Sequence, residues 1–218
     1  MITLKDVQNN VKVKEFIKKA DDYLEKIGYT EHGSRHTKLV SDICKNILLK
    51  LGYSKREVEL ASIAGYLHDI GNVLSRKDHA QSGAMLAYNI LNEMGMDVKE
   101  SLEIMTAIAN HEEDEKGVAV SVITAVLMIA DKSDVHKTRV RNRNTASFDI
   151  HDRVNYAVTK SFVYAEDKNI RLELTIDTKF SPIMEYFEIF LERMMSMKKA
   201  SAFLGCDFSL IINGTKII

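Results

Sequence analysis

The stretch SKREVELASIAGYLHDIG, residues 54–71, decides the fold. Ser54 and Glu57 have the spacing of a capping box, in which an N-cap oxygen and an N3 side chain satisfy each other's free backbone N–H groups. Apolar residues then recur at intervals of three and four, which predicts a helix over 55–70 with Gly71 at its C-cap. The stretch ends on two adjacent ionisable residues, His68 and Asp69. Neighbours on a helix lie about 100° apart, so at a helix end both side chains can converge on one point beyond it.

The same signals recur on either side. Asp78 with Gln81 and Asp97 with Glu100 have capping-box spacing, and Gly28, Gly52 and Gly95 stand where helices should stop. Together with the apolar spacing they predict helices near 5–27, 34–51, 79–95, 98–112 and 119–134. The chain has one proline, Pro182, which fits long uninterrupted helices. After about residue 150 the period changes. Val154, Tyr156, Val158, Phe162 and Tyr164, then Ile170, Leu172, Leu174 and Ile176 across a polar turn, alternate as two strands of a hairpin. Ser181 as N-cap and Pro182 at the first helical position open a Met-rich helix to about Phe203, and residues 206–218 read as a third strand of either direction. The expected architecture is mainly α: a helical domain over 1–148, then a small α+β appendage over 149–218 made of a β-hairpin, a helix and a strand.

Bulk properties set limits on partners. With 45% hydrophobic and 28% charged residues and a net charge of −1, the chain has the balance of a globular protein without a global footprint for nucleic acid or acidic membrane. The N-terminus lacks a basic-then-apolar secretory pattern. The longest apolar run, from Val118 to Ala130, is interrupted by Ser121 and Thr124 and falls short of the roughly 20 residues that cross a bilayer. It reads as a buried core helix. Cys44 and Cys206 match neither a zinc pair nor a disulfide framework and read as buried thiols, so a cytoplasmic location and no membrane are expected. Lys137, Arg139, Arg141 and Arg143 form one basic run, but it lacks interleaved aromatics for base stacking and reads as a solvated face. Nucleic acid is therefore not the expected partner. The exposed edges of a hairpin invite pairing, which suggests a homodimer. Met184, Met194, Met195 and Met197 suit a core or a dimer seam.

Five of the seven histidines fall within residues 32–111, several at predicted helix ends. His79 opens the helix over 79–95, His111 closes that over 98–112, and Asp131 ends the apolar one. A carboxylate at the end of so apolar a helix must be solvated, hydrogen-bonded or bound to a cation. Imidazoles and carboxylates together are the donor set for borderline divalent metals.

The ordered set His36, His68-Asp69 and Asp131 resembles the signature of the HD superfamily of metal-dependent phosphohydrolases, with His68-Asp69-Ile70-Gly71 as its HDIG form, over roughly residues 30–140. The segment from His79 to Leu86 is similar to the second-metal histidine segment of HD-GYP and related two-metal members, and Asn110-His111-Glu112 to their next histidine. The resemblance implies an HD-type helical bundle with one metal held by His36, His68, Asp69 and Asp131, and another by Asp69, His79 and His111, Asp69 bridging. It implies catalytic roles for Asp69 and His68, and one or two divalent ions among Fe, Mn, Zn, Ni, Co and Mg that turn water into an attacking hydroxide. Two departures stand out: Asn72 replaces the lysine that follows HDIG in HD-GYP proteins, and residues 112–117 replace the GYP tripeptide. Cyclic dinucleotides are thus not the expected substrate, and the short interval from Asp69 to His79 suggests an open site.

Arg35, Arg76, Lys77 and Lys132 are the candidate ligands for substrate phosphate. His32, close to a helix start at Gly33 and Ser34, reads as a turn residue or a support for the metal ligands, and Asp134 as a group that orients a ligand or water. His136 and His151 read as surface residues. The expected activity is hydrolysis of a phosphate ester or anhydride of a nucleotide or small phosphorylated metabolite. Two alternatives share the residues: a di-iron oxygenase, which would need dioxygen, and a non-catalytic nucleotide-sensing module, which would bind without turnover.

Overall fold

The computed structural model describes residues 1–112 and 118–218; residues 113–117, all but the first of the stretch 112–117 that replaces the GYP tripeptide, lie outside the described residues. The chain is mostly helical. Helices α1 (Leu4–Asn9), α2 (Val11–Lys26), α3 (Ser34–Lys50), α4 (Lys55–Leu67), α5 (His79–Glu93), α6 (Val98–Ala109) and α7 (Val122–Lys132) form the bundle. Strands β1 (Val158–Glu166), β2 (Asn169–Ile176), β3 (Asp207–Ile212) and β4 (Thr215–Lys216), with helices α8 (Ile150–Ala157) and α9 (Ile183–Phe203), follow it.

Helix α7 is the axis. Every residue from Ile123 to Ala130 is buried, and the helix packs on α3, α4, α6 and α9, so one hydrophobic core runs from the bundle into the appendage. Burying a Leu or Ile side chain fully is worth about 1.5–3 kcal/mol, which makes this helix the main anchor of the ligand it ends on. Ser121, read as an interruption, is the N-cap: its hydroxyl accepts from the Thr124 amide and starts the helix at Val122.

Helices α3 and α4 cross at Gly65, where an added Cβ would lie 3.0 Å from the backbone of Ser41. Ser41 Oγ donates to Ser62 O across the same contact at 2.8 Å. That close crossing carries the start of α3 towards the end of α4, and so His36 towards His68. The α4 helix opens with the complete Ser54–Glu57 capping box.

Other boundaries differ from expectation for local reasons. The helix over 5–27 is two helices, because Asn10 leaves helical geometry and caps the second by accepting from the Val13 amide. Asp78 does not form a capping box. It takes a left-handed backbone (φ 57°), and Gln81 instead donates to Ala109 O at 2.9 Å. Asp97 caps α6, but its partner Glu100 is claimed by Arg56. Gly71 is no C-cap: it lies in a 3₁₀ turn, Ile70–Val73, after α4 stops at Leu67. A Cβ there would sit 1.9 Å from His79 O and 2.5 Å from Gly83 N, so only glycine lets this turn rest against α5.

In the appendage, Val154 and Tyr156 belong to α8 rather than to a strand. Asp149 accepts from the Asp152 amide and starts a helix, and the buried pair Val154 and Ala157 has helical spacing. The hairpin β1–β2 turns at Asp167-Lys168, both at positive φ, as a two-residue hairpin turn requires. Pro182 is the N-cap of α9, one place later than expected, while Ser181 Oγ donates to Glu185 Oε2. After α9 the chain adds β3 parallel to β2, then turns at Asn213-Gly214 into the short antiparallel β4, giving the order β1-β2-β3-β4. The expected single third strand is thus two. Met194 and Met197 fill the core, whereas Met184 and Met195 are exposed. Cys44 and Cys206 are free and buried. Among the described residues no helix is long and apolar enough to cross a membrane.

Candidate metal centre

Helix ends deliver the cluster. His36 stands in the first turn of α3, His68 and Asp69 just past α4, His79 at the start of α5, His111 just past α6, and Asp131 in the last turn of α7. Except for Asp131, whose side chain is 15% exposed, all are buried.

Four of these side chains meet at one point. His36 Nε2 lies 3.2 Å from His68 Nε2, 3.3 Å from Asp131 Oδ1 and 3.5 Å from Asp69 Oδ2; His68 Nε2 lies 3.4 Å from Asp69 Oδ2 and 3.5 Å from Asp131 Oδ1. Ligand atoms arranged tetrahedrally at about 2.0–2.1 Å from an ion are about 3.3 Å from one another, so the spacing fits a cation at the centre. Beside it, Asp69, His79 and His111 form a second group whose ligand atoms lie within 4.8 Å of one another, with Asp69 Oδ1 3.5 Å from His79 Nε2. Asp69 thus turns one oxygen to each group.

The imidazoles are set to accept a cation. Nδ1 of His68, His79 and His111 faces the backbone carbonyls of Gly65 (2.9 Å), Arg76 (3.0 Å) and Ile108 (2.6 Å), and Nδ1 of His36 faces Asp134 Oδ2 (2.7 Å). These oxygens only accept, so each Nδ1 carries the proton and each Nε2 turns a lone pair inward. Lone pairs of His36 and His68 facing each other across 3.2 Å repel unless positive charge lies between them. Asp69 Oδ2 and His111 Nε2 are buried without a hydrogen-bond partner. Such orphaned atoms are costly unless they coordinate.

Electrostatics agree. Burial opposes charge on His68, yet the carboxylates of Asp69 and Asp131 hold its pKa up to about 10, so the field at its Nε2 draws positive charge and a metal ion competes there with a proton. Burial equally opposes the charge of both aspartates, but His68 beside Asp69 and Lys132 beside Asp131 keep them well below the usual carboxylate range. Burial, with the positive charge of His68 and Lys132, pushes His111 down to about 3, and burial also lowers His79, so both stay neutral as ligands must.

A supporting shell surrounds the cluster. Asp134 holds the His36 ring and accepts from Arg35 Nη2 at 2.7 Å, while Arg35 Nε donates to Glu31 at 2.8 Å. Arg35 therefore braces a ligand from behind. Arg139 is buried, donating to Asp134 O and Glu31 O, and Arg141 pairs with Asp21, so these two members of the basic run are tied into the fold, while Lys137 and Arg143 are exposed as expected of a solvated face. Arg76 lies against the second group, 3.2 Å from His79 Nε2 and 3.0 Å from Glu112 Oε2. Lys132 Nζ donates to Asp131 Oδ2 (2.8 Å) and Glu112 Oε1 (3.0 Å), and Lys77 is exposed and outside the cluster. His32 is fixed by Thr30 O at 2.7 Å, with its ring 5.4 Å from that of His36, and burial lowers its pKa well below the usual histidine value.

Two residues had no assigned role from sequence. Glu112 brings a buried carboxylate to 3.3 Å from His79 Nε2, and its position directly after His111 was the only signal. Asn72 Nδ2 donates to Asp69 O (3.0 Å) and Oδ1 (2.9 Å) and fixes the shared carboxylate. Next to the cluster opens a cavity of about 830 Å³ bordered by His32, Arg76, Tyr29 and residues of α8 and α9, among them His151.

Residues 33–136 match the family model described as HD domain. The chain is 30% identical over 154 residues to an uncharacterized protein of Methanocaldococcus jannaschii, across 61% of this chain and 59% of that one. It is 27% identical over 157 residues to Ribonuclease Y of Oceanobacillus iheyensis, across 68% of this chain and 28% of that one. The chain thus spans little more than half of the first relative and under a third of the second. A crystal structure of a predicted HD superfamily hydrolase from an uncultured Thermotogales bacterium superposes with a TM-score of 0.46 at 28% identity, across 57% of this chain and 67% of that one.

Proposed function

Residues 33–136 of this chain are an HD domain, and from that premise we propose that it is a metal-dependent phosphohydrolase acting on an ester or anhydride of a small phosphorylated molecule. One observation carries the reading: buried imidazoles, each with Nδ1 held by an acceptor oxygen, converge through Nε2 with the carboxylates of Asp69 and Asp131 on one point. His36, His68, Asp69 and Asp131 would hold one ion, and Asp69, His79 and His111 a second. When bound, divalent ions supply an acidified water and positive charge against the phosphoryl oxygens.

The chain's own groups set the geometry. Lys132 holds the outer oxygen of Asp131 and leaves Oδ1 to the cluster. Asn72 fixes Asp69, and Asp134 fixes His36 with its lone pair inward. Arg76 stands between cluster and cavity with a planar fork suited to two oxygens of a phosphate, and Lys132, buried against Asp131 and Glu112, adds a point charge behind the cluster's carboxylates.

A second reading, cleavage of an RNA phosphodiester, is favoured by the relatives named Ribonuclease Y. One screen separates the readings. Purified protein is supplied in turn with Mn, Fe, Zn, Ni, Co and Mg and tested for phosphate release from phosphorylated metabolites, for cutting of an RNA oligonucleotide, and with and without dioxygen. Metal-dependent phosphate release that ignores dioxygen and is lost in Asp69→Ala is the expected result. An Asp69→Ala protein that folds and keeps full metal and activity would overturn the assignment.

A further inference from the structure

The metal cluster explains only one side of the neighbouring cavity. At about 830 Å³ it is the size of a small-molecule site. It shares His32 and Arg76 with the cluster, and Arg76 Nη1 is 4.0 Å from Asp69 Oδ1. The opposite wall comes from the appendage. Met184, Phe187, Glu188 and Leu191 line it from α9, at the spacing of one helix face. Met184 is 73% and Leu191 54% exposed, so an apolar surface stands uncovered beside the cluster.

Charge is divided along the cavity. The end next to the cluster has Arg76, since the donors of Arg139 are directed to Asp134 O and Glu31 O. The α8 and α9 side carries the carboxylates of Asp149, Asp152, Glu188 and Glu192 against the cation Arg193, whose guanidinium lies over the Phe190 ring 4.4 Å from its centroid, and His151. Burial and the neighbouring Asp149 push the Asp152 carboxyl up, and the side-chain donor facing it is Asn142 at 3.5 Å. Acceptors therefore outnumber cationic donors on this side, and Phe187 lines it with them.

Resting on the phosphohydrolase reading, we propose that the appendage forms the specificity pocket for the organic part of the substrate, and that this part is a ring or apolar group bearing hydroxyl or amino donors without a second anionic group. With its phosphate beside Arg76, such a molecule covers Phe187, Met184 and Leu191 and gives Asp152 and Glu188 charge-assisted hydrogen bonds. A second phosphate in the same place would face those carboxylates and be repelled.

The probes are adenosine 5′-monophosphate and glucosamine 6-phosphate against fructose 1,6-bisphosphate, with wild type and Glu188→Lys. Glu188 is exposed, so the exchange keeps the fold. Wild type should prefer the donor-bearing monophosphates by about tenfold or more in kcat/KM, and Glu188→Lys should shift the ratio about tenfold towards the bisphosphate. An unshifted ratio overturns the proposal. In a separate arm, adenosine and glucosamine are titrated by ligand-observed NMR. Binding to wild type that weakens in Glu188→Lys supports the pocket even if no phosphate is ever released, a result that removes only the hydrolase reading. No binding of either compound to folded wild type overturns the pocket even if phosphate is released.

Discussion

Asp134→Asn separates the metal ligands from what aims them. Asp134 Oδ2 accepts from His36 Nδ1 and Arg35 Nη2, both at 2.7 Å, and Oδ1 accepts from Arg35 Nη1 at 3.3 Å. Asparagine has nearly the same shape but one acceptor oxygen. If that oxygen turns to His36, the new NH₂ faces the Arg35 guanidinium, donor against donor. If it turns to Arg35, the NH₂ faces His36 Nδ1 and drives the ring into the other tautomer, which puts a proton on Nε2 where a metal should bind. Both outcomes tax the first ion. Loss of such a supporting partner costs about 10–100-fold in metal affinity, or roughly 1.4–2.8 kcal/mol. Competition with a chromogenic chelator for Zn²⁺ reads the constant directly, with circular dichroism confirming the fold. A folded Asp134→Asn protein whose Kd stays within about twofold of wild type would refute the role of the tautomer in metal binding.

Two further outcomes follow from the packing and the charges. In Gly71→Ala the new methyl would lie 1.9 Å from His79 O, whereas in Gly83→Ala the nearest atom is at 3.1 Å; overpacking of the first kind costs about 3 kcal/mol, which for a chain of this length is a fall of roughly 6–12 °C in Tm, and equal melting of both variants would contradict the close contact. The hydrogen-bonded Arg56 guanidinium holds the Glu100 carboxyl below its ordinary 4.5, so its stabilisation is complete above that value and fades as pH falls through the folded-state value. Urea titrations of wild type and Glu100→Gln should therefore differ by up to about 1 kcal/mol at neutral pH and converge in acid, and a gap that widens in acid would reverse the sign.

What the sequence made legible was set by how local the cause is. The Ser54–Glu57 box, His68-Asp69 at a helix end and the buried α7 all follow from neighbours within a turn or two, and the structure has them. Asp78 and Gln81 had the right spacing, but contacts made on folding, Gly71 against α5 and Gln81 against α6, decided the backbone there. Val154 and Tyr156 alternate over so short a span that a helix face and a strand face fit equally, and the cap at Asp149 settled it. Within the site, the convergence of His36, His68, Asp69 and Asp131 was expected from their order, but the brace of Arg35 on Asp134 joins residues 99 positions apart and no local pattern contains it. Glu112 and Asn72 were noticed but given no role, because the contacts that define one, with His79 and with the Asp69 carboxylate, are made only on folding.

The account depends on the cluster binding cations, and direct counting tests it most simply. Wild-type protein and Asp69→Asn are stripped with chelator, dialysed against Mn²⁺ or Zn²⁺, and their bound metal is measured by inductively coupled plasma mass spectrometry. Since Asp69 faces both groups, wild type should retain about one to two ions per chain and the variant close to none. A folded wild-type chain that retains no metal, or a variant that retains as much as wild type, would contradict it.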